Sequence, residues 1–149
     1  MELCIDTSTR YAAVGLSQKG HVTAETYWRS RRNHSSELVP AIQDIMHTTA
    51  TEIEDVSAVF VNKGPGAFSA LRVGISTAKA IAAARKIPIV GIDSGTVEAL
   101  PYVNLGKNIC SVIPASRTRV YTCVLASHQV GVATPTYTII ELDELANTL

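Results

Sequence analysis

Residues 57–91 read SAVFVNKGPGAFSALRVGISTAKAIAAARKIPIVG and are the most informative part of the chain. An apolar run ends in the turn Gly64-Pro65-Gly66, which leads at once into an alanine-rich segment with helical periodicity. The two glycines allow backbone angles that are closed to other residues, and proline fixes its own φ, so the turn is sharp and rigid. The pattern predicts a βαβ unit with a right-handed crossover, made of a strand over 57–62, a helix over about 68–85 and a strand over 88–92.

The predicted helix over 68–85 has an unusual surface. Arg72, Lys79 and Lys86 recur at every seventh residue as one narrow charged stripe, while most of the remaining circumference is small and apolar. A helix that covers only one sheet does not need so much apolar surface. We therefore expect it either to be sandwiched in a core or to meet another protein chain with its second face.

Composition limits the class of protein. The chain has 149 residues, of which 46% are hydrophobic and 17% charged, and this balance indicates a globular protein rather than a disordered one. Thirteen basic residues balance thirteen acidic ones, so any contact with RNA would have to be local. The dense basic cluster is Arg29, Arg31 and Arg32, which we interpret as a solvated loop.

The termini and cysteines predict a cytoplasmic location. The N-terminal segment shows no signal-peptide pattern, and no run reaches the roughly 18 apolar residues of a membrane helix. Cys4, Cys110 and Cys123 are odd in number and lack Cys-x-x-Cys spacing. They are expected to be buried thiols in a reducing compartment, and no membrane partner is predicted.

The remaining periodicity predicts two unequal halves. Strands are expected at 2–6, 12–18 and 21–28, then a helix starting between His34 and Val39, a short helix at 96–103, strands at 109–113, 119–126 and 136–140, and a helix-like ending at 141–149. Lys19-Gly20 is the hairpin turn between the second and third strands. Pro40 requires the helix to start nearby, since proline is best tolerated in a first turn. We interpret residues 1–104 as a βββαβα lobe and 105–149 as a shortened second lobe of the same type.

This α/β layout resembles the actin-like ATPase superfamily, in which two ribonuclease H-like lobes enclose a nucleotide cleft. Five segments resemble the bacterial TsaB (YeaZ) family in order and spacing: Ile5-Asp6-Thr7-Ser8, His34-Ser35-x-x-Leu38-x-Pro40-x-Ile42, Gly64-Pro65-Gly66-x-Phe68-Ser69-x-Leu71-Arg72-Val73-Gly74, Pro88-x-Val90-Gly91 and Val97-Glu98-Ala99-Leu100. The resemblance covers about residues 1–126. The chain departs from the family pattern at Pro114, where an aspartate is usual, and at Ser116, where an arginine is usual.

The resemblance implies a non-catalytic partner and activator of TsaD in the formation of threonylcarbamoyladenosine next to the anticodon of tRNAs. It also implies a larger complex with TsaE, only indirect contact with tRNA, and no cofactor. The protein would then be an inactive paralogue of a metal-dependent carbamoyl transferase. Consistent with this, residues 91–105 lack the histidine pair that such a transferase would need, and the four histidines of the chain show no metal-ligand spacing.

Asp6, Thr7 and Ser8 are the candidates for a vestigial nucleotide cleft. Asp6 ends the first strand where actin-like ATPases place a carboxylate that holds magnesium, but the turn after it contains no glycine. Because side chains in this turn would crowd a phosphate, we expect Asp6 to organise its own turn instead.

Two other functions stay open. An actin-like ATP-binding small-molecule kinase or hydrolase is one alternative, because Asp6 is present. A dinucleotide-binding oxidoreductase module is the remote one, since Gly64-x-Gly66-x-x-Ser69 follows a strand and Asp93 ends the next strand. Pro65 inside the turn and Ser69 in place of a third glycine oppose it.

The two main helices predict a surface for a partner chain. Gly74, Ala78 and Ala82 lie four residues apart and would form a groove that lets another helix approach closely. The predicted partner and dimer residues are Leu71, Gly74, Ile75, Ala78, Ala82, Leu38 and Ile42. We expect a homodimer when the protein is alone and a heterodimer with TsaD through the overlapping surface.

Overall fold

The computed structural model describes residues 1–31 and 33–145. Its first part contains β1 (Glu2–Asp6), β2 (Tyr11–Gln18), β3 (His21–Arg29), α1 (His34–Thr48), β4 (Ala58–Asn62), α2 (Phe68–Arg85) and β5 (Ile89–Ile92). Its second part contains α3 (Ser94–Ala99), a 3-10 segment (Leu100–Leu105), β6 (Asn108–Pro114), β7 (Arg119–Ala126) and β8 (Thr138–Glu141). The predicted order of strands and helices is confirmed as far as the last strand.

The first five strands form one mixed sheet in the order β3-β2-β1-β4-β5. The β1, β4 and β5 strands are parallel, and β2 and β3 are antiparallel additions at one edge. Lys19 and Gly20 both have positive φ, 51° and 80°, as a two-residue hairpin turn of the primed type requires. The predicted hairpin and βαβ unit are therefore both present.

Helices α1 and α2 pack against each other and cover one face of this sheet, α1 over β2 and α2 over β4. Alternate strand residues point to that face, as the period of two requires, and join the inner sides of both helices in one core. The buried core consists of Leu3, Ile5, Val14, Leu16, Leu38, Ile42, Ile45, Met46, Val56, Val59, Val61, Ala78 and Ala82. This core fixes the carboxyl ends of β1 and β4 against the start of α2.

The second sheet is smaller and wholly antiparallel, with the order β6-β7-β8. Its buried cluster is Ala99, Cys123 and Leu125, with Ile109, Val130 and Tyr137 packed against it. The helix expected at 141–149 is not found as predicted, since Glu141 ends β8 and Leu142–Glu144 form a 3-10 turn, and residues 146–149 lie outside the described residues. The two sheets fall on either side of the lobe boundary predicted at residue 104, which stays a prediction.

Helix α1 starts within the predicted range of His34 to Val39, but Pro40 does not lie in its first turn. The helix begins at His34, so Pro40 is its seventh residue and lies beyond the first turn. Proline has no N–H for the carbonyl of Ser36 four residues earlier. Both residues are exposed, so water can satisfy that carbonyl and the helix continues to Thr48. Across the described ranges 1–31 and 33–145, no helix has the length and apolar character to span a membrane.

Candidate functional site

A network of polar side chains links the carboxyl ends of β1 and β4 by hydrogen bonds. Asp6 Oδ1 accepts the Ser8 N–H at 2.7 Å, and Asp6 Oδ2 accepts Asn62 Nδ2 at 2.9 Å. Asn62 Oδ1 in turn accepts the Gly64 N–H and the Ser94 hydroxyl, both at 2.8 Å. Both carboxylate oxygens of Asp6 therefore stabilise the protein's own turns. The expectation that Asp6 organises the turn after β1 is confirmed.

Thr7 and Ser8 lie under the first turn of α2. Thr7 is 1% exposed and its hydroxyl donates to the carbonyl of Ala70 at 2.7 Å. The Ser8 carbonyl accepts the Ala67 N–H at 2.7 Å, and a Cβ added to Gly66 would collide with that carbonyl. Gly66 is thus needed for contact between two turns of this chain. The structure brings the three cleft candidates together, and it buries Thr7 and Ser8 against the start of α2.

The contact of Gly74 explains the row of small residues on α2. A Cβ at Gly74 would collide with Thr7 Oγ1, so the glycine lets α2 lie directly on the turn after β1. Ala78, which is 0% exposed, and Ala82 continue this close approach to the sheet. The groove predicted to receive a partner's helix is therefore occupied by the chain's own β1 and its turn.

The predicted partner surface needs a correction for the same reason. Six of its seven residues are buried within this chain: Leu38, Ile42, Leu71, Gly74, Ala78 and Ala82. The seventh, Ile75, is half-buried and packs against the core. They form the inner sides of α1 and α2. The small apolar stripe that the sequence pattern assigned to a partner chain packs against the protein's own sheet instead. The outer side of α2 consists of Ser69, Arg72, Ser76, Lys79, Ala80, Ala83 and Ala84.

A second polar cluster joins the two sheets. The Tyr137 hydroxyl donates to Asp93 Oδ1 at 2.7 Å and accepts the Gly95 N–H at 2.7 Å. Asp93 also caps α3 by accepting the N–H and the hydroxyl of Thr96, at 2.9 and 2.8 Å. The Asp93-x-x-Thr96 spacing could have revealed the cap. Nothing in the sequence pattern links Tyr137 to it, since 44 residues separate the two side chains.

Hydrogen bonding decides the ionisation of this cluster. Burial alone would raise the pKa of Asp93, but the hydrogen bonds from Tyr137 and Thr96 outweigh it and hold the pKa below its ordinary value. Burial, together with the Asp93 carboxylate, raises the pKa of Tyr137. Asp93 is thus charged and Tyr137 neutral at ordinary pH, as a phenol that donates to a carboxylate must be.

A cavity of about 670 Å³ lies between the turn after β1 and the starts of both long helices. His34 is buried there, and its Nε2 lies 3.1 Å from the carbonyl of Thr9. The residue at the N-cap of α1 is Asn33. His34 therefore ties α1 to the turn after β1. Among residues 1–31 and 33–145, no three histidine, cysteine or acidic side chains gather as a metal centre would require.

The five-stranded sheet, its two covering helices and Asp6 at the end of β1 define an actin-like, ribonuclease H-like lobe. A solved structure named YeaZ from Pseudomonas aeruginosa shares this fold, with a TM-score of 0.81 and 23% identity over 94% of this chain and 67% of that one. A protein named as an N-acetylglucosamine kinase from Porphyromonas gingivalis matches with a TM-score of 0.54 and 12% identity, over 91% of this chain and 47% of that one. The predicted fold class is confirmed.

The family follows from the sequence matches. Residues 23–142 match the model of the family described as TsaD, tRNA N6-adenosine threonylcarbamoyltransferase. The tRNA threonylcarbamoyladenosine biosynthesis protein TsaB of Escherichia coli is 34% identical over 92 residues, 62% of this chain and 39% of the relative. TsaB of Bacillus subtilis is 31% identical over 120 residues, 80% of this chain and 52% of the relative. This chain belongs to the TsaB (YeaZ) family, which is related to the carbamoyltransferase, and it spans about half the length of these curated relatives.

Proposed function

We propose that the protein is a non-catalytic partner and activator of TsaD in the formation of threonylcarbamoyladenosine next to the anticodon of tRNAs. One observation supports the non-catalytic part above all. The turn where an actin-like ATPase would hold phosphate begins with Thr7 and Ser8, which are buried and hydrogen-bonded to Ala70 and Ala67 at the start of α2. Family membership supports the pathway.

The same contacts weigh against both alternatives. A kinase or hydrolase of the actin-like class needs phosphate to reach the turn after β1, where Thr7 and Ser8 are buried. A dinucleotide module needs the second glycine of its turn to face a pyrophosphate, whereas Gly66 faces the Ser8 carbonyl. Thermal unfolding with ATP and Mg²⁺, or with NAD, distinguishes these alternatives, because a ligand of the native state raises the melting temperature. We expect no shift with either.

The docking surface for TsaD is proposed on the outer side of the helix pair. Val39 of α1 is 47% exposed, and Ser76, Ala80 and Ala83 of α2 are exposed small residues. Such a face permits the close approach of another helix, which the buried stripe on the opposite side cannot offer. We propose that it forms the homodimer when the protein is alone and the heterodimer with TsaD, and that TsaE joins the larger complex.

Reconstitution tests this proposal. TsaD, TsaE, tRNA and threonylcarbamoyl-adenylate are incubated with and without the protein, and modified adenosine is quantified. We expect its omission to stop or sharply slow modification. Ala80→Glu should prevent association with TsaD and have the effect of omission, while Gln18→Glu on the β2–β3 hairpin introduces the same charge and should act like the wild type.

Unchanged modification without the protein would overturn the supporting role. Equal behaviour of Ala80→Glu and Gln18→Glu would overturn only the proposed surface. Circular dichroism of each variant confirms that it is folded, and light scattering reports whether the homodimer is lost together with the heterodimer.

A further inference from the structure

The outer edge of β3 pairs with no other strand among residues 1–31 and 33–145. The strand order β3-β2-β1-β4-β5 puts β3 at the end of its sheet, where it pairs with β2 alone. The register shift of the β2–β3 ladder lies near the hairpin, so β3 is regular from Ala24 to Arg29. The strand contains neither proline nor lysine, with which proteins usually protect a long edge. Such an edge is a template for a further strand.

The backbone groups at this edge belong to alternate residues of β3. The Ser30 N–H donates to the carbonyl of Arg10, on the side of β2, at 2.8 Å. Hydrogen-bonded and non-hydrogen-bonded positions alternate along an antiparallel pair, so every second residue before Ser30 also bonds to β2. The N–H and C=O groups of Glu25, Tyr27 and Arg29 therefore point to the open edge.

The side chains of these three residues lie on the sheet face away from α1 and α2. Ala24 and Trp28, which alternate with them, pack against the core under those helices. Tyr27 is 76% exposed, and Glu25 and Arg29 are exposed as well. The edge thus presents an acidic, an aromatic and a basic side chain in a row.

Glu25 and Arg29 have no charged partner in the part of the chain that the structure describes. Across the β2–β3 ladder they lie opposite Gly15 and Tyr11. Neither takes part in the ion pair found within 4.0 Å among the described residues. Both charges are therefore available to a strand that pairs with the open edge.

Arg29 also corrects one expectation. The basic cluster of Arg29, Arg31 and Arg32 was interpreted as a solvated loop, but Arg29 is the last residue of β3 because it pairs with Tyr11. Arg31 is exposed beyond the strand, and Arg32 lies outside the described residues.

A second copy of β3 is complementary to this edge. When two identical strands pair antiparallel about a two-fold axis at Tyr27, Glu25 of each copy faces Arg29 of the other. Glu25, Tyr27 and Arg29 all have outward backbone groups, so the strands can exchange hydrogen bonds at each of these positions. Opposite charges directly across a strand pair stabilise it, and any slip of the register would separate Glu25 from Arg29.

The helix layer leaves room for this pairing. Helix α1 lies over β2, so three strand spacings, roughly 14 Å, would separate the two α1 helices in a continuous sheet. Packed helices need only about 8–10 Å between their axes.

We propose that the β3 edges of two copies pair antiparallel about Tyr27 and join the two five-stranded sheets into one. The contact is separate from the residues of α2 proposed to meet TsaD, since α2 lies over β4, three strands away from β3. It does not depend on the proposed function in tRNA modification. An extended segment of another protein would have to supply the same order of charges, which this chain already contains.

Sedimentation velocity of the purified full chain tests the pairing. The background carries Ala80→Glu to remove the helix contact between copies, or Ser76→Glu on the same exposed side if circular dichroism shows Ala80→Glu to be unfolded. We expect this background to form a dimer as its concentration rises. Glu25→Arg and Arg29→Glu should each raise the dimer dissociation constant by at least about tenfold, because each sets two pairs of like charges across the contact.

Mixing the two charge-reversed variants is the decisive measurement. In the mixed pair every arginine at these positions faces a glutamate again, so a heterodimer should form with nearly the affinity of the background. A mixture that associates no better than its components would overturn the proposal, as would a background that stays monomeric at every concentration.

Lys107→Glu is the matched control, because it changes the net charge as Arg29→Glu does at an exposed position before β6. It should leave the dissociation constant within about twofold of the background. A loss equal to that of Arg29→Glu would mean that net charge governs association, and the proposed pairing would be wrong. The assay contains neither TsaD nor tRNA, so its failure leaves the supporting role in reconstitution intact, and the reverse also holds.

Discussion

Gly74 of α2 lies so near the turn after β1 that an added Cβ would collide with Thr7 Oγ1, and this contact is directly testable. Gly74→Ala places a methyl group against Thr7 Oγ1, which cannot move freely because it is buried and bonded to Ala70. We expect a loss of about 1–3 kcal/mol in the free energy of unfolding, as for other overpacked sites. Urea denaturation measures it. Ser76→Ala on the exposed side of the same helix should change stability by less than about 0.5 kcal/mol, and an equal effect of both would contradict the contact.

For single residues, the sequence predicted which side chain stabilises a turn better than it predicted the residues that hydrogen-bond to that side chain. Asp6 ends a strand before a polar turn, which is enough to predict that its carboxylate bonds locally. Asn62 and Ser94 complete the network, yet each is a small polar residue at the end of a strand or the start of a helix, without a distinctive pattern. Their roles depend on the pairing of β1 with β4, which is a tertiary property.

Helix α3 and the segment before β8 are held together by Asp93 and Tyr137. Tyr137→Phe removes the hydroxyl, so the Gly95 N–H loses its acceptor and Asp93 Oδ1 loses a donor. We expect a loss of about 1–3 kcal/mol in the free energy of unfolding. Tyr102→Phe is the control, since Tyr102 is 54% exposed. Equal stability of both variants in urea denaturation would contradict a stabilising role of the hydroxyl.

This cluster also predicts how stability depends on pH. The folded pKa of Asp93 lies below its ordinary value of 3.8, so its contribution is complete above that pH and is lost as pH falls through the folded pKa. Tyr137→Phe removes one of the hydrogen bonds that lower this pKa. The variant should therefore lose less stability than the wild type between about pH 5 and pH 2, and parallel curves would contradict the assignment.

Element boundaries were predictable wherever the backbone chemistry is local. The bounds of α2 match the predicted 68–85 because a Gly-Pro-Gly turn precedes it and Lys86 ends it in the left-handed region, with φ of 55°. Which side of α2 is buried was not predictable, because alanine and serine occur on its outer side as well. The sequence of α2 contains a stripe of small apolar residues. The contacts of this stripe with Thr7 and β1, which only the structure shows, establish that it faces inward.

The five-stranded sheet differs between its faces. One face is covered by α1 and α2, while the other borders a wide cavity of about 580 Å³ whose lining includes Phe60, Val97 and Leu100. Apolar groups in such a cavity bind hydrophobic dyes. We expect 8-anilinonaphthalene sulfonate to fluoresce with the native protein and Leu100→Ser to weaken the signal. Val132→Ser, at an 86% exposed position outside this lining, should leave it unchanged, and equal signals from both variants would argue against dye binding there.

The two sheets have cores of very different size, so the whole molecule should not open as one unit. The first core joins thirteen buried residues from strands and helices, whereas the second contains Ala99, Cys123 and Leu125. Fewer buried apolar contacts give a lower free energy of local opening. Native-state hydrogen exchange should therefore show lower amide protection in β6–β8 than in β1, β4 and α2. The Tyr137→Phe variant should widen this difference, because it weakens the link between α3 and the second sheet. Equal protection of the two sheets would mean that they unfold cooperatively, and the interpretation of residues 105–145 as the weaker lobe would then be wrong.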